Sequence, residues 1–113
     1  MQRDMRLRVV SLPAFCSSMK NVLIFTFSEF GRRVAQNASG GTDHGTANNV
    51  FLISGSLRQK GFLNDTPELS SLDQGDLIHK LDFRRIYATI LNKWLEVPTE
   101  KILSGAYESL DFI

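Results

Sequence analysis

The chain has 113 residues, enough for one domain and not two. Hydrophobic residues make up 42% and charged residues 22%, proportions that place it among ordinary globular proteins and exclude a disordered chain. Thirteen basic and twelve acidic side chains leave a net charge of +1, so no overall field draws the chain to nucleic acid or to an anionic membrane, and no nucleic-acid partner is expected.

The first twenty residues carry the weakest pattern. Arg3, Arg6 and Arg8 make a basic start that reads as a solvated end. Arg6 to Leu12 fits either a strand or part of a helix, and Pro13 ends both. Cys16 is the single cysteine, so an internal disulfide is excluded; with Phe15, Ser17 and Ser18 around it and no histidine beside it, it reads as an idle thiol. No apolar stretch followed by a small-residue cleavage site is present near Met1, so no signal peptide is expected.

Val22-Leu23-Ile24-Phe25-Thr26-Phe27 is rich in β-branched and aromatic residues and nearly all apolar. It predicts a strand buried on both faces, as in a parallel sheet, and at six residues it is too short to span a bilayer. Ser28 to Gly31 predicts a turn off its end. Asn37 to Asn49, rich in Gly, Asn, Ser and Thr, predicts a loop. Val50-Phe51-Leu52-Ile53 predicts a second short buried strand, and residues 56 to 78 a surface segment with brief turns at Asn64–Pro67 and Asp73–Asp76.

The clearest helix starts at Asp82, a predicted N-cap. Phe83, Ile86, Tyr87, Ile90, Leu91, Trp94 and Leu95 follow at the spacing of one helical face. Pro98 and Thr99 precede a predicted short helix through Ile102-Leu103 that stops before Gly105. Tyr107, Leu110, Phe112 and Ile113 predict a tail that packs down. Strand, loop, strand, long loop and helix make an α/β pattern. Two convincing strands and one strong helix suggest part of a larger sheet, because a buried parallel strand needs neighbours on both sides and helices on both faces.

Two segments carry chemistry. Ser28-Glu29-Phe30-Gly31-Arg32-Arg33 follows the first strand, where ligands bind in open α/β sheets. Glu29 stands where a functional carboxylate would be, and Arg32 suits pairing with it or holding an oxyanion such as phosphate or sulfate. The plainer alternative is a surface Glu–Arg pair at a turn. Gly40-Gly41-Thr42-Asp43-His44-Gly45-Thr46 brings Asp43 and His44, both ligand types for zinc or manganese. There the alternative is a turn capped by Thr42 or Asp43. His79, the other histidine, reads as structural or exposed. Asn37-Ala38-Ser39 fits a glycosylation sequon. No phosphate-binding glycine loop, Cys-x-x-Cys or Gly-x-Ser-x-Gly is present.

Taken together, Ser28-Glu29-Phe30-Gly31-Arg32-Arg33, Gly41-Thr42-Asp43-His44-Gly45-Thr46-Ala47 and Asp82-Phe83-Arg84-Arg85-Ile86-Tyr87-Ala88-Thr89-Ile90-Leu91 with Trp94-Leu95 resemble the end of the DUF1501 family, grouped with the alkaline phosphatase-like fold. The resemblance runs from about Val22 to Ile113 and leaves residues 1–21 as a divergent segment. It implies a C-terminal portion of a mixed sheet flanked by helices, in largely bacterial relatives often exported by the twin-arginine route. It also implies a divalent metal, zinc or manganese, with Glu29, Asp43 and His44 as ligands and Arg32 facing the oxyanion of a phosphate or sulfate ester. In the wider superfamily an Asp-His-Gly often follows a core strand and a further histidine ligand lies in a later loop. Glu29-Phe30-Gly31 matches the first position, with Phe30 where a histidine would coordinate, and His44 matches the second. An alternative alignment equates Asp43-His44-Gly45 with the Asp-His-Gly itself. The superfamily's Ser or Thr nucleophile and first Asp ligand lie in a more N-terminal part of the domain, with no counterpart before Val22. The implied partners are that N-terminal part or a second copy, and the chain alone is expected to be inactive. The competing expectation is a non-catalytic binding or structural module, or a truncated product without a function.

Overall fold

The computed structural model describes residues 4–11 and 17–113, with side chains from residue 19 onward. Strand β1 (Asp4–Ser11) runs parallel to β5 (Ala47–Ser54) along its whole length, from Asp4 opposite Ala47 to Ser11 opposite Ser54. The ambiguous start of the chain is therefore a strand, while Pro13 and Cys16 lie outside the described residues. A 3₁₀ turn (Ser17–Asn21) leads to β2 (Ile24–Phe25), which pairs antiparallel with the other side of β5. β3 (Gly31–Gln36) and β4 (Thr42–Gly45) form an antiparallel hairpin of their own. The short β6 (Gly61–Phe62) pairs antiparallel with β1, so the main sheet has the order β2-β5-β1-β6. β7 (Leu72–Asp73) and β8 (Asp76–Leu77) close a second small hairpin. The mixed sheet with a helix on it is consistent with an α/β class.

β5 shows why one face of this sheet is the core. Val50 and Leu52 alternate on one side and are fully buried, whereas Phe51 between them is 36% exposed. Against Val50 and Leu52 pack Leu57, Leu81, Ile86 and Phe112. The expected Val50–Ile53 strand is present and longer, and it is buried on one face rather than two.

The reading of Val22–Phe27 as a strand buried on both faces is overturned. Only Ile24–Phe25 is paired, at the sheet's edge and antiparallel; Val22, Ile24 and Phe27 are exposed, while Leu23 and Phe25 pack on the core. An apolar run records a tendency to pair, but its place at a centre or an edge is set by distant strands. The expected loop at Asn37–Asn49 is corrected as well. Only its first part turns, and the rest is β4 and the start of β5. Glycine and asparagine content pointed to a loop because these residues are poor strand formers. Here glycines permit a backbone approach that larger residues forbid: a Cβ built on Gly31 would fall inside the carbonyl of Ala47, and one on Gly45 would lie 2.8 Å from the carbonyl carbon of Arg32.

Helix α1 (Phe83–Thr89) begins as expected. The Asp82 carboxylate accepts from the Arg84 amide at 2.9 Å and holds the Arg84 guanidinium in a two-pronged ion pair. The side-chain hydrogen bond from Arg84 keeps the Asp82 pKa below its ordinary value. The helical face continues as a π-helical turn, Ile90–Trp94, after which Leu95 is 55% exposed. The predicted helix through Ile102-Leu103 is instead a 3₁₀ turn at Thr99–Lys101, entered from Pro98. The tail does pack down. Phe112 is fully buried, the Thr89 hydroxyl accepts from the Leu110 amide at 2.7 Å and donates to the Arg85 carbonyl at 2.6 Å. Among the described residues no helix is long and apolar enough to cross a membrane.

Candidate functional site

The two chemistry-bearing segments form the two strands of one hairpin. Gly31 stands opposite Gly45 and Arg32 opposite His44. A bulge between Arg32 and Gln36 then shifts the register, and Gln36 meets Thr42. The connecting turn is organised by Asn37, whose side-chain oxygen accepts from the amides of Ser39 and Gly41, both at 3.0 Å. Gly40 adopts a φ of +78°, the left-handed conformation glycine takes most easily.

The hairpin is pinned at its base. Next to the Gly31 contact, the Phe30 carbonyl accepts from the Ser28 hydroxyl at 3.0 Å and from the Asn48 amide at 3.2 Å. Past the bulge, Arg33 reaches across to the second hairpin. It pairs with Asp76 at 3.2 Å and donates to the Gln74 carbonyl. The receiving turn, Gln74-Gly75, has φ values of +49° and +90°, as a two-residue hairpin connection requires.

Residues directly opposite in an antiparallel pair share a face, so Arg32 and His44 emerge side by side. Arg32 donates to the Thr42 carbonyl at 2.8 Å, which uses one of its several N–H groups. His44 is exposed, and its ring lies flat against Phe30, with centroids 3.7 Å apart and planes 17° from parallel. Neither His44 ring nitrogen bonds to another described residue. Asp43, adjacent along β4, projects to the opposite face, where its carboxylate accepts from the Asn37 amide at 3.0 Å. Glu29 sits exposed at the bend before β3, with no hydrogen bond or ion pair to another described residue.

Arg32, Asp43 and His44 thus lie in one hairpin, with Glu29 just ahead of it in the chain, and of the hairpin's three Arg32 and His44 share a face. The donor set tests the fit of a divalent ion: His44 offers a free imidazole edge, whereas Asp43 points away from it. Among the described residues no three of His, Cys, Asp and Glu come together to hold a metal. The hairpin therefore fits a contribution of one ligand, not a closed cage.

A profile for a protein of unknown function, DUF1501, matches residues 17–104, most of the chain. The chain belongs to the DUF1501 family. No curated protein and no solved structure matches it. The DUF1501 match covers the hairpin, the second hairpin and α1, and includes every expected site residue.

Sequence reasoning missed Phe30, treated as a disqualified ligand position, and Asn48, treated as loop. Nothing in the spacing of Phe30 and His44 signals a ring contact, since it depends on the hairpin register. His79, expected to be structural or exposed, is half-buried beside Asp73 and Asp76 in a cavity of about 180 Å³ under the second hairpin.

Proposed function

We propose that this DUF1501 chain contributes part of the site of a metal-dependent hydrolase of phosphate or sulfate esters, on an alkaline phosphatase-like fold. The observation that carries this reading is Arg32 standing directly opposite His44 on one hairpin face. That pairing sets an always-charged, multi-donor group beside an imidazole with free nitrogens, the combination needed next to a bound oxyanion. In this reading His44 is a metal ligand and Arg32 meets the ester's anionic oxygens. Glu29 and Asp43 complete the ligand set only after local movement. A divalent ion, zinc or manganese, would supply Lewis-acid polarisation of the ester and stabilise the leaving charge. The nucleophile and remaining ligands would come from outside these 113 residues, as a further part of the polypeptide or a partner, so the chain by itself is inactive.

The test is equilibrium dialysis of the purified chain against zinc and manganese, with metal quantified by plasma spectrometry. His44→Ala abolishes the bound metal if the reading holds, and Glu29→Ala and Asp43→Ala weaken it. Equal metal content in the parent chain and His44→Ala removes the site. The separation of Asp43 from His44 on opposite faces favours a second reading, a non-catalytic binding or structural module. That reading expects no bound metal in the parent chain.

A further inference from the structure

We infer that the free edge of β2 and the apolar pocket beside it are a docking surface for a second copy of this chain, the two β2 edges running antiparallel with Phe27 of each seated in the pocket of the other. The inference does not depend on reading the β3–β4 hairpin as a metal site. β2 closes one end of the main sheet, and among the described residues no strand pairs with its outer side. Ile24 lies opposite Ile53, and the Thr26 amide donates to the Phe51 carbonyl at 3.0 Å. By the alternation of an antiparallel pair, the amide and carbonyl of Phe25 then point away from β5, into the open edge. Sheet edges are ordinarily blunted by charge or proline. Residues 21–28 hold neither, and Val22, Ile24 and Phe27 are exposed.

Knob and hole stand side by side. Phe25, Tyr87, Ile90, Leu91, Ile102 and Leu103 line a cavity of about 230 Å³. A cavity of roughly 150 Å³ holds a benzene ring, so this one accepts a phenyl side chain. Phe27 stacks on Phe25 with centroids 5.8 Å apart, yet it is 69% exposed. An adjacent knob and hole satisfy each other reciprocally across a two-fold axis, the commonest oligomer symmetry. Charge selects the same partner and the same direction. Lys20 precedes the uncharged run and Glu29 follows it, both exposed. Antiparallel copies set each lysine near the other's glutamate, whereas parallel copies set like charges together. Phe27, Ile102, Ile24 and Val22 leave on the order of 400 Å² of apolar surface in water, the size of a functional patch. With the cavity walls and the strand edge, two copies would bury about 1,000 Å² in total, which suits a weak, reversible dimer and not a permanent one.

The experiment is sedimentation velocity of the full chain at low salt with a chelator present, from about 1 to about 500 μM, the range in which so small an interface dissociates. The parent should pass from one to two chains per particle. Phe27→Lys, a change at an exposed position, should raise the dissociation constant at least about thirtyfold, the loss of a buried aromatic anchor. Ile102→Trp, which fills the cavity from its own chain, should weaken association about as much while leaving the far-ultraviolet circular dichroism unchanged. Lys20→Glu or Glu29→Lys alone should weaken it about threefold, and the double variant should restore it. A parent that stays monomeric throughout overturns the inference and leaves the edge to a different polypeptide. A dimer that survives both Phe27→Lys and Ile102→Trp overturns it as well, since the interface then lies elsewhere. A double charge variant that associates no better than either single one overturns the antiparallel arrangement.

Discussion

The core and the β3–β4 hairpin are held by opposite means. In the core, Val50, Leu52, Ile86 and Phe112 are fully buried, and shape and apolar area do the work. In the hairpin the candidate site residues Arg32, Asp43 and His44 are all exposed, and the strands are fixed by glycine contacts, an asparagine turn and the Arg33–Asp76 bridge. Stability and chemistry thus occupy different parts of the molecule. Substitutions in the core should act globally, and those in the hairpin locally.

The largest expected effect tests the core. Phe112→Ala should destabilise the chain by about 3–5 kcal/mol, read as a fall in the urea midpoint with one cooperative transition. A smaller loss, or detachment of the tail alone, would show that the core closes without it. Gly31→Ala tests the hairpin. The added methyl has no room at Ala47, and the strain is about 1–3 kcal/mol, released by parting the strands. Amide exchange should then quicken from Gly31 to Gly45 while the amides of β5 stay protected. Uniform loss of protection would break the division between the two regions.

Asp82→Ala should cost about 1 kcal/mol through the lost helix cap, seen in thermal unfolding near neutral pH. Because Arg84 holds the Asp82 pKa below its ordinary value of 3.8, the ion pair's contribution is present above that pH and lost as pH falls through the lowered value. The parent and Asp82→Ala should therefore converge in stability only in strong acid. The smallest effect is expected at Asp111, an exposed carboxylate whose pKa is lowered first by the Lys93 ammonium and then by Arg58. Asp111→Asn should leave the melting temperature within error, since solvent screens such pairs. A clear loss there would make the tail's charges, and not Phe112, the anchor.

Much of the core was legible in the sequence because it is written in local periodicity. Asp82 before the helical face of Phe83, Ile86, Tyr87 and Ile90 gave the helix and its cap, and the apolar Val50–Ile53 gave the central strand. The hairpin was illegible as a hairpin. Gly31, Gly45 and the glycines at 40 and 41 look like loop residues unless another backbone is known to pass within contact distance. The site was half legible. Arg32 and His44 were chosen on residue type and do emerge together, whereas the division of Asp43 from His44 follows from a strand pleat hidden by loop-like composition.

By itself the sequence determined which residues are able to hold a charge or a core position, the capped helix, and the family to which the chain belongs. Tertiary structure alone decided that Val22–Phe27 stands at an edge, that β1 joins β5, and that Phe30 lies on His44. The physical reason is common to all three. Propensity and capping act over a few bonds, while strand order, register and ring contacts join residues far apart in the chain, and only the closed fold selects among them.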